Sequence, residues 1–237
     1  MRTRLVTLPN LITLANLLCG TLGIVSMVSL QSAEALRTAF VLTMAAAVFD
    51  FLDGFAARLT GQYSAVGAQL DSLADMVSFA VLPTLVAMKV YYLTGGHGAW
   101  SAVLLLIALC GALRLARFNV SDDRGTEFRG LPVPACALLV GAAGWFASGR
   151  IGLPAAGWVQ WFVLAAGAAL ALLMVSSVRM FSLKFAGFGW RGNEVRYVFL
   201  AVSLVIVAVA GVPGVGLAVV LYILYSLAVR AACRRRK

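Results

Sequence analysis

The 237 residues are 62% hydrophobic and only 12% charged. An ordinary soluble domain carries roughly twice that share of charge, and mean hydropathy here is +0.96, so a soluble enzyme, a disordered chain and a fibrous protein are excluded. What remains is an all-α, polytopic membrane bundle, in which a net charge of +10 marks cytoplasmic loops and anionic headgroups rather than nucleic acid.

Eight apolar runs read as spans, at roughly 10–30, 34–58, 66–93, 99–118, 132–148, 156–175, 197–211 and 213–230. Six are the minimum. Pro9-Asn10 reads as a helix start with Asn as cap. Asn10, Thr13, Asn16 and Cys19 interrupt the first run, which favours a retained span over a cleaved leader. The last two runs are short and meet at Gly211-Val212-Pro213-Gly214, a turn signal. No repeat or linker divides the chain, so one membrane domain over 1–237 is expected. An even number of spans puts both termini on one side. Counted that way, sixteen of the nineteen basic residues share that side, and only Arg37, Lys89 and Arg150 lie on the other. That asymmetry places both termini in the cytoplasm. Cys19, Cys110, Cys136 and Cys233 show no metal or disulfide spacing. His97 falls in a Gly-rich turn.

The acidic residues carry the chemistry. Four of the nine, Asp50, Asp53, Asp71 and Asp75, fall within 26 positions at the ends of the second and third spans. A carboxylate in a membrane segment costs on the order of 3 kcal/mol, so each needs a reason. Asp50 and Asp53 are i,i+3 on one helix, and Asp71 and Asp75 are i,i+4 on the next, so each pair shares a face. Adjacent antiparallel helices bring the two faces together. Four carboxylates in one volume repel and are stable as anions only around cations. The residue types suit hard divalent ions, Mg²⁺ or Mn²⁺. Two such ions bridged by shared carboxylates are the usual arrangement for displacement at phosphorus. From spacing alone, an acid-lined ion pathway remains open as the alternative.

The residues between the acids point further. Asp50-Phe51-Leu52-Asp53-Gly54-Phe55-Ala56-Ala57-Arg58, eight residues, Gly67, Asp71 and Asp75 match at every fixed position the signature D-x2-D-G-x2-A-R-x8-G-x3-D-x3-D. The chain therefore resembles the CDP-alcohol phosphotransferase family. The resemblance implies transfer of a phosphatidyl or similar group from a CDP-linked donor to an alcohol, with release of CMP. It implies that Asp50, Asp53 and Asp71 bind one divalent metal and that Asp50, Asp71 and Asp75 bind a second. Asp75 would also act as general base, and Gly54, Arg58 and Ser64 would contact the CDP moiety. Gly67 allows close approach of backbone and ligand. Asn10-Leu11-Ile12-Thr13 matches the family's nucleotide-contacting Asn-x-x-Thr element, although a helix cap followed by an ordinary Thr explains that tetrapeptide about as well.

Further segments are similar to the bacterial and archaeal members that use L-serine: Leu8 to Thr13, Leu18-Cys19-Gly20, Leu70 to Asp75, Arg114 to Asn119, Phe128 to Pro134 and Met174-Val175-Ser176. An expected Tyr-x-Ser-Phe-Lys element appears instead as Phe181-Ser182-Leu183-Lys184. The resemblance then implies CDP-diacylglycerol as donor and L-serine as acceptor. A sister enzyme using glycerol 3-phosphate, inositol phosphate or choline is the alternative. A zwitterionic acceptor needs a cation for its carboxylate, and Arg114, Arg117 and Lys184 are the candidates, with Asn119 and Glu127 as polar neighbours. Topology and headgroup contacts account for any single one of these bases equally. The core binding the CDP-lipid and metal is expected over about 9–120, and the acceptor-site and C-terminal helices over about 121–237. The resemblance also implies a homodimer in the cell (inner) membrane, multi-pass, with the active site facing the cytoplasm.

Overall fold

The computed structural model describes residues 6–120, 128–152, 156–180 and 193–235. These residues form eight helical rods: α1 (Leu8–Ser29), α2 (Ser32–Thr60), α3 (Ala65–Leu93), α4 (Gly98–Val120), α5 (Val133–Ser148), α6 (Val159–Val175), α7 (Glu194–Ala210) and α8 (Val212–Arg235). Five of them, α1 to α4 and α8, are long and apolar enough to cross a bilayer. At 16, 17 and 17 residues, α5, α6 and α7 are shorter. The chain is thus a polytopic membrane bundle, as its composition required. Among the described residues, the one departure from all-helical structure is a two-residue antiparallel pairing of β1 (Phe128–Arg129) with β2 (Arg179–Met180), which clasps the α4–α5 connection to the α6–α7 connection.

Local sequence sets the helix ends. Pro9 sits in the first turn of α1, where its missing N–H costs nothing, and the Thr7 hydroxyl accepts from the Asn10 N–H. Gly61 ends α2 in the left-handed conformation at φ +65°, which glycine adopts without penalty. Ser64 then caps α3, its Oγ accepting from the Gly67 N–H at 2.9 Å.

α3 is the central rod. It packs against α1, α2, α4, α5 and α6, and 61% of its spanning window is buried against 22% for α8. Over Met76–Val81 it widens into a π-helical segment. Pro83 follows two residues later; a proline cannot donate to the carbonyl four residues back and its ring crowds that carbonyl, and a local widening relieves both.

In a bilayer, helices associate through close packing rather than hydrophobic expulsion. Small residues accordingly lie at the contacts. Gly20 lets α1 approach Ser78 of the π segment, and a Cβ on Gly23 would come within 2.5 Å of Leu82 Cδ2. On α5, a Cβ at Gly144 would meet Val86 Cγ1 at 2.6 Å. Around these contacts Leu36, Phe79, Leu82, Leu104, Ile107 and Val133 are fully buried. α8 packs on α5, and α7 packs on α8. α7 contributes no buried residue; its Leu204 and Val209 are exposed, a face matched to hydrocarbon.

Candidate active site

The last turns of α2 and the first turns of α3 carry the four acids. They do converge: ligand oxygens of Asp50, Asp53 and Asp71 lie within 4.8 Å of one another, and the carboxyl group of Asp75 reaches that of Asp50. Asp53 and Asp75 are buried, while Asp50 and Asp71 are half-buried. The spacing argument thus holds in three dimensions: i,i+3 on α2 faces i,i+4 on α3.

α1 lines the third wall through a polar stripe. Thr13 donates to Asp53 Oδ2 at 2.6 Å, with the Pro9 carbonyl 3.0 Å away as competing acceptor. Asn16 Nδ2 donates to Asp75 Oδ1 at 3.2 Å, and the Asn16 backbone carbonyl accepts from Ser78 Oγ at 3.0 Å. Asn10 is buried and lies beside Gly67, where a Cβ would stand 2.9 Å from Asn10 Oδ1 and 3.0 Å from Ser64 Oγ. A side chain at position 67 would therefore displace both. Gly54 faces open space, with only Arg58 Nη2 within 4 Å of a Cβ placed there. Exposed Arg58 donates from Nε to the Gly54 carbonyl at 2.9 Å, which leaves its outer nitrogens for an external anion.

On α4, Arg114 is half-buried and Arg117 is exposed. Asn119 ties the end of this helix to α3, donating to Ser72 Oγ at 2.9 Å. Arg114 lies within electrostatic reach of Asp75 and of Tyr222 on α8. Lys184, Ser182 and Glu127 lie outside the described residues.

Two contributors carry no mark in the sequence motif. Asn16 is fully buried; its signal is the interval 10, 13, 16, 20, one helical face that stays polar or small inside an apolar run. Tyr222 is buried and sits among apolar residues of the last helix, so it reads as an ordinary lipid-facing or core aromatic.

The donor set fits a divalent cation. It is all oxygen, it is acidic, and Asp71 Oδ1 is buried without a hydrogen-bond partner. A buried carboxylate oxygen left unsatisfied is costly, and coordination of a hard cation satisfies it. Asn16 Oδ1 and Arg114 Nε are likewise buried and unpartnered, so the site has unused acceptors and donors of both signs.

Fold and site together define a multi-pass helical membrane protein with a converging carboxylate cluster at one end of the bundle. Comparison with known proteins narrows this class. The model of the CDP-alcohol phosphatidyltransferase family matches residues 6–175, and the chain belongs to that family. It is 38% identical over 139 residues to the CDP-diacylglycerol–serine O-phosphatidyltransferase of Methanocaldococcus jannaschii, covering 58% of this chain and 60% of that protein. It is 41% identical over 135 residues to the Helicobacter pylori protein of the same name, covering 56% and 54%. It is 37% identical over 142 residues to the archaetidylserine synthase of Methanothermobacter thermautotrophicus, covering 58% of each. The matches thus span between 54 and 60% of the length of these curated relatives.

Proposed function

We propose that the protein transfers the phosphatidyl group of CDP-diacylglycerol to the hydroxyl of L-serine, giving phosphatidylserine and CMP. The observation that carries this reading is the convergence of Asp50, Asp53 and Asp71 within 4.8 Å in a chain of this family. The serine acceptor is supported by the names of the relatives above.

Asp50, Asp53 and Asp71 would hold one divalent ion, and Asp50, Asp71 and Asp75 a second, Mg²⁺ or Mn²⁺. When bound, these ions neutralise the diphosphate and the charge that develops on the leaving oxygen. Arg58, with Nε already committed to the Gly54 carbonyl, presents its remaining donors to a diphosphate oxygen. Gly54 and Gly67 leave room for the CDP moiety, with Asn10, Thr13 and Ser64 around it. Thr13 also keeps the Asp53 carboxylate oriented. Asp75 takes the proton from the serine hydroxyl as its oxygen attacks the phosphatidyl phosphorus. The bond from that phosphorus to the bridging oxygen breaks, and CMP leaves carrying it. Arg114 pairs with the serine carboxylate, and Arg117 and Lys184 are the further basic candidates for that role.

The lipid tails stay in the bilayer while the diphosphate sits at the interface. The site and both termini face the cytoplasm across the inner membrane, as the distribution of basic residues supports. Residues 9–120 form the donor and metal core of a single domain, residues 121–237 supply the acceptor end, and the protein works as a homodimer. The test is incubation of the purified protein with CDP-diacylglycerol, Mn²⁺ and each of L-serine, glycerol 3-phosphate, inositol phosphate and choline in labelled form. Label enters lipid with serine alone. Incorporation of another acceptor in place of serine rejects the serine assignment.

A further inference from the structure

Asn16 lies near the middle of α1, fully buried, on a helix whose outer face is Leu11, Leu14, Leu18, Leu22 and Val25. Its side chain makes one hydrogen bond, from Nδ2 to Asp75 Oδ1 at 3.2 Å, and leaves Oδ1 buried without a partner. The amide orientation follows from the chemistry: turned over, it would set a carbonyl oxygen against a carboxylate oxygen. An amide that leaves an acceptor unsatisfied is a poor helix-packing residue, and an alanine or leucine avoids that cost. Nor is the side chain needed to tie α1 to α3. That tie runs from Ser78 Oγ to the Asn16 backbone carbonyl at 3.0 Å, with Gly20 seated on Ser78, and any residue at position 16 keeps it. What only the Asn16 side chain supplies is a donor to Asp75.

We propose that Asn16 is a positioning residue for Asp75: its amide commits Asp75 Oδ1 to α1, fixes the carboxylate rotamer and leaves Oδ2 for chemistry. The π segment begins at Met76, directly after Asp75. The usual 3.6-residue register is therefore lost on one side of Asp75, and an anchor from a neighbouring helix replaces it. Thr13 does the same for Asp53 one turn earlier on α1. Together the two residues make α1 a template that orients one acid from α2 and one from α3.

This inference rests on the transfer chemistry proposed above, and its test separates the two. Full-length protein, Asn16→Ala and Ser78→Ala are compared for serine-dependent CMP release and for Mn²⁺ binding, followed by the spin-resonance signal of the free ion. Ser78→Ala is the control for a purely structural tie. Asn16→Ala lowers kcat about 10- to 100-fold, with KM for CDP-diacylglycerol within about threefold and weaker Mn²⁺ binding, because a group that orients a ligating carboxylate is worth that much. Ser78→Ala lowers thermal stability and leaves kcat and Mn²⁺ binding within about twofold. Near-normal kcat in Asn16→Ala, or an equal kcat loss in Ser78→Ala, overturns the proposal. If the wild-type protein releases no CMP with any acceptor, the transfer reading fails, and the Mn²⁺ titration alone decides: equal affinities in Asn16→Ala and wild type overturn the positioning role. Should Asn16→Ala not fold, Asn16→Ser, which keeps a polar atom, takes the same measurements with the same criteria.

Discussion

The two ends of the bundle use charge in different ways. At the end away from the acids, the cations are matched within the chain. Arg37 donates from Nε to Ser148 Oγ at 3.1 Å and lies 5.8 Å from the Trp145 ring centroid. Lys89 Nζ donates to the Met27 carbonyl at 3.0 Å, capping the end of α1, and Arg150 lies over Phe146 at 4.3 Å. At the acidic end the matching is incomplete. Of the four buried side-chain atoms without a partner among the described residues, three surround the carboxylates: Asn16 Oδ1, Asp71 Oδ1 and Arg114 Nε; the fourth is Ser203 Oγ on α7. The first end is closed by its own hydrogen bonds, and the second keeps buried polar atoms without a protein partner. In a chain with 12% charged residues, leftover polar capacity is thus a better marker of function than charge itself.

Mutations sharpen this contrast. Asp75→Asn keeps the size of the side chain and removes the base. CMP release falls by about 10²- to 10⁴-fold, while CDP binding and one Mn²⁺ persist through Asp50, Asp53 and Asp71 and the Mn²⁺ that shares Asp75 is weakened; titration of both ligands alongside the CMP assay checks this. Thr13→Val is nearly isosteric and removes the hydroxyl that Asp53 and the Pro9 carbonyl share. A hydrogen bond to a charged group is worth about 1.5–3 kcal/mol, so kcat/KM for CDP-diacylglycerol falls at least about tenfold, with some loss of thermal stability as well. Arg37→Met breaks a matched pair at the closed end. It costs about 1 kcal/mol of stability and leaves kcat within about twofold, read as a lowered melting temperature in detergent with unaltered turnover. A large kcat loss in Arg37→Met would erase the distinction between the ends.

Much of this was legible in the sequence because two periodicities carried it. The hydrophobic runs gave eight rods within a few residues of those observed, and the i,i+3 and i,i+4 acids gave two facing pairs that do meet. The missing parts are long-range or register-breaking. Asn16 pairs with a residue 59 positions away, and no local spacing encodes that partner. The π segment shifts the helical register after Asp75; Pro83 hints at a perturbation there but does not say which kind. Tyr222 comes to Arg114 from a stretch of helix whose nearest neighbours in sequence, Val219 to Leu224, are otherwise apolar. Of the three basic candidates for the acceptor, periodicity could not rank Arg114 over Arg117. Burial does: the first turns toward Asp75, and the second stays exposed.

The proposed activity is cation-dependent transfer from a CDP-lipid to serine at the acidic end of the bundle. The most direct measurement is the stoichiometry of CMP and lipid-bound labelled serine formed by the wild-type protein in CDP-diacylglycerol vesicles, with chelator present and then with Mn²⁺ restored. Equal amounts of the two products are expected with Mn²⁺ and neither with chelator. Equal product formation in chelator, or CMP without labelled lipid when Mn²⁺ is present, would contradict it.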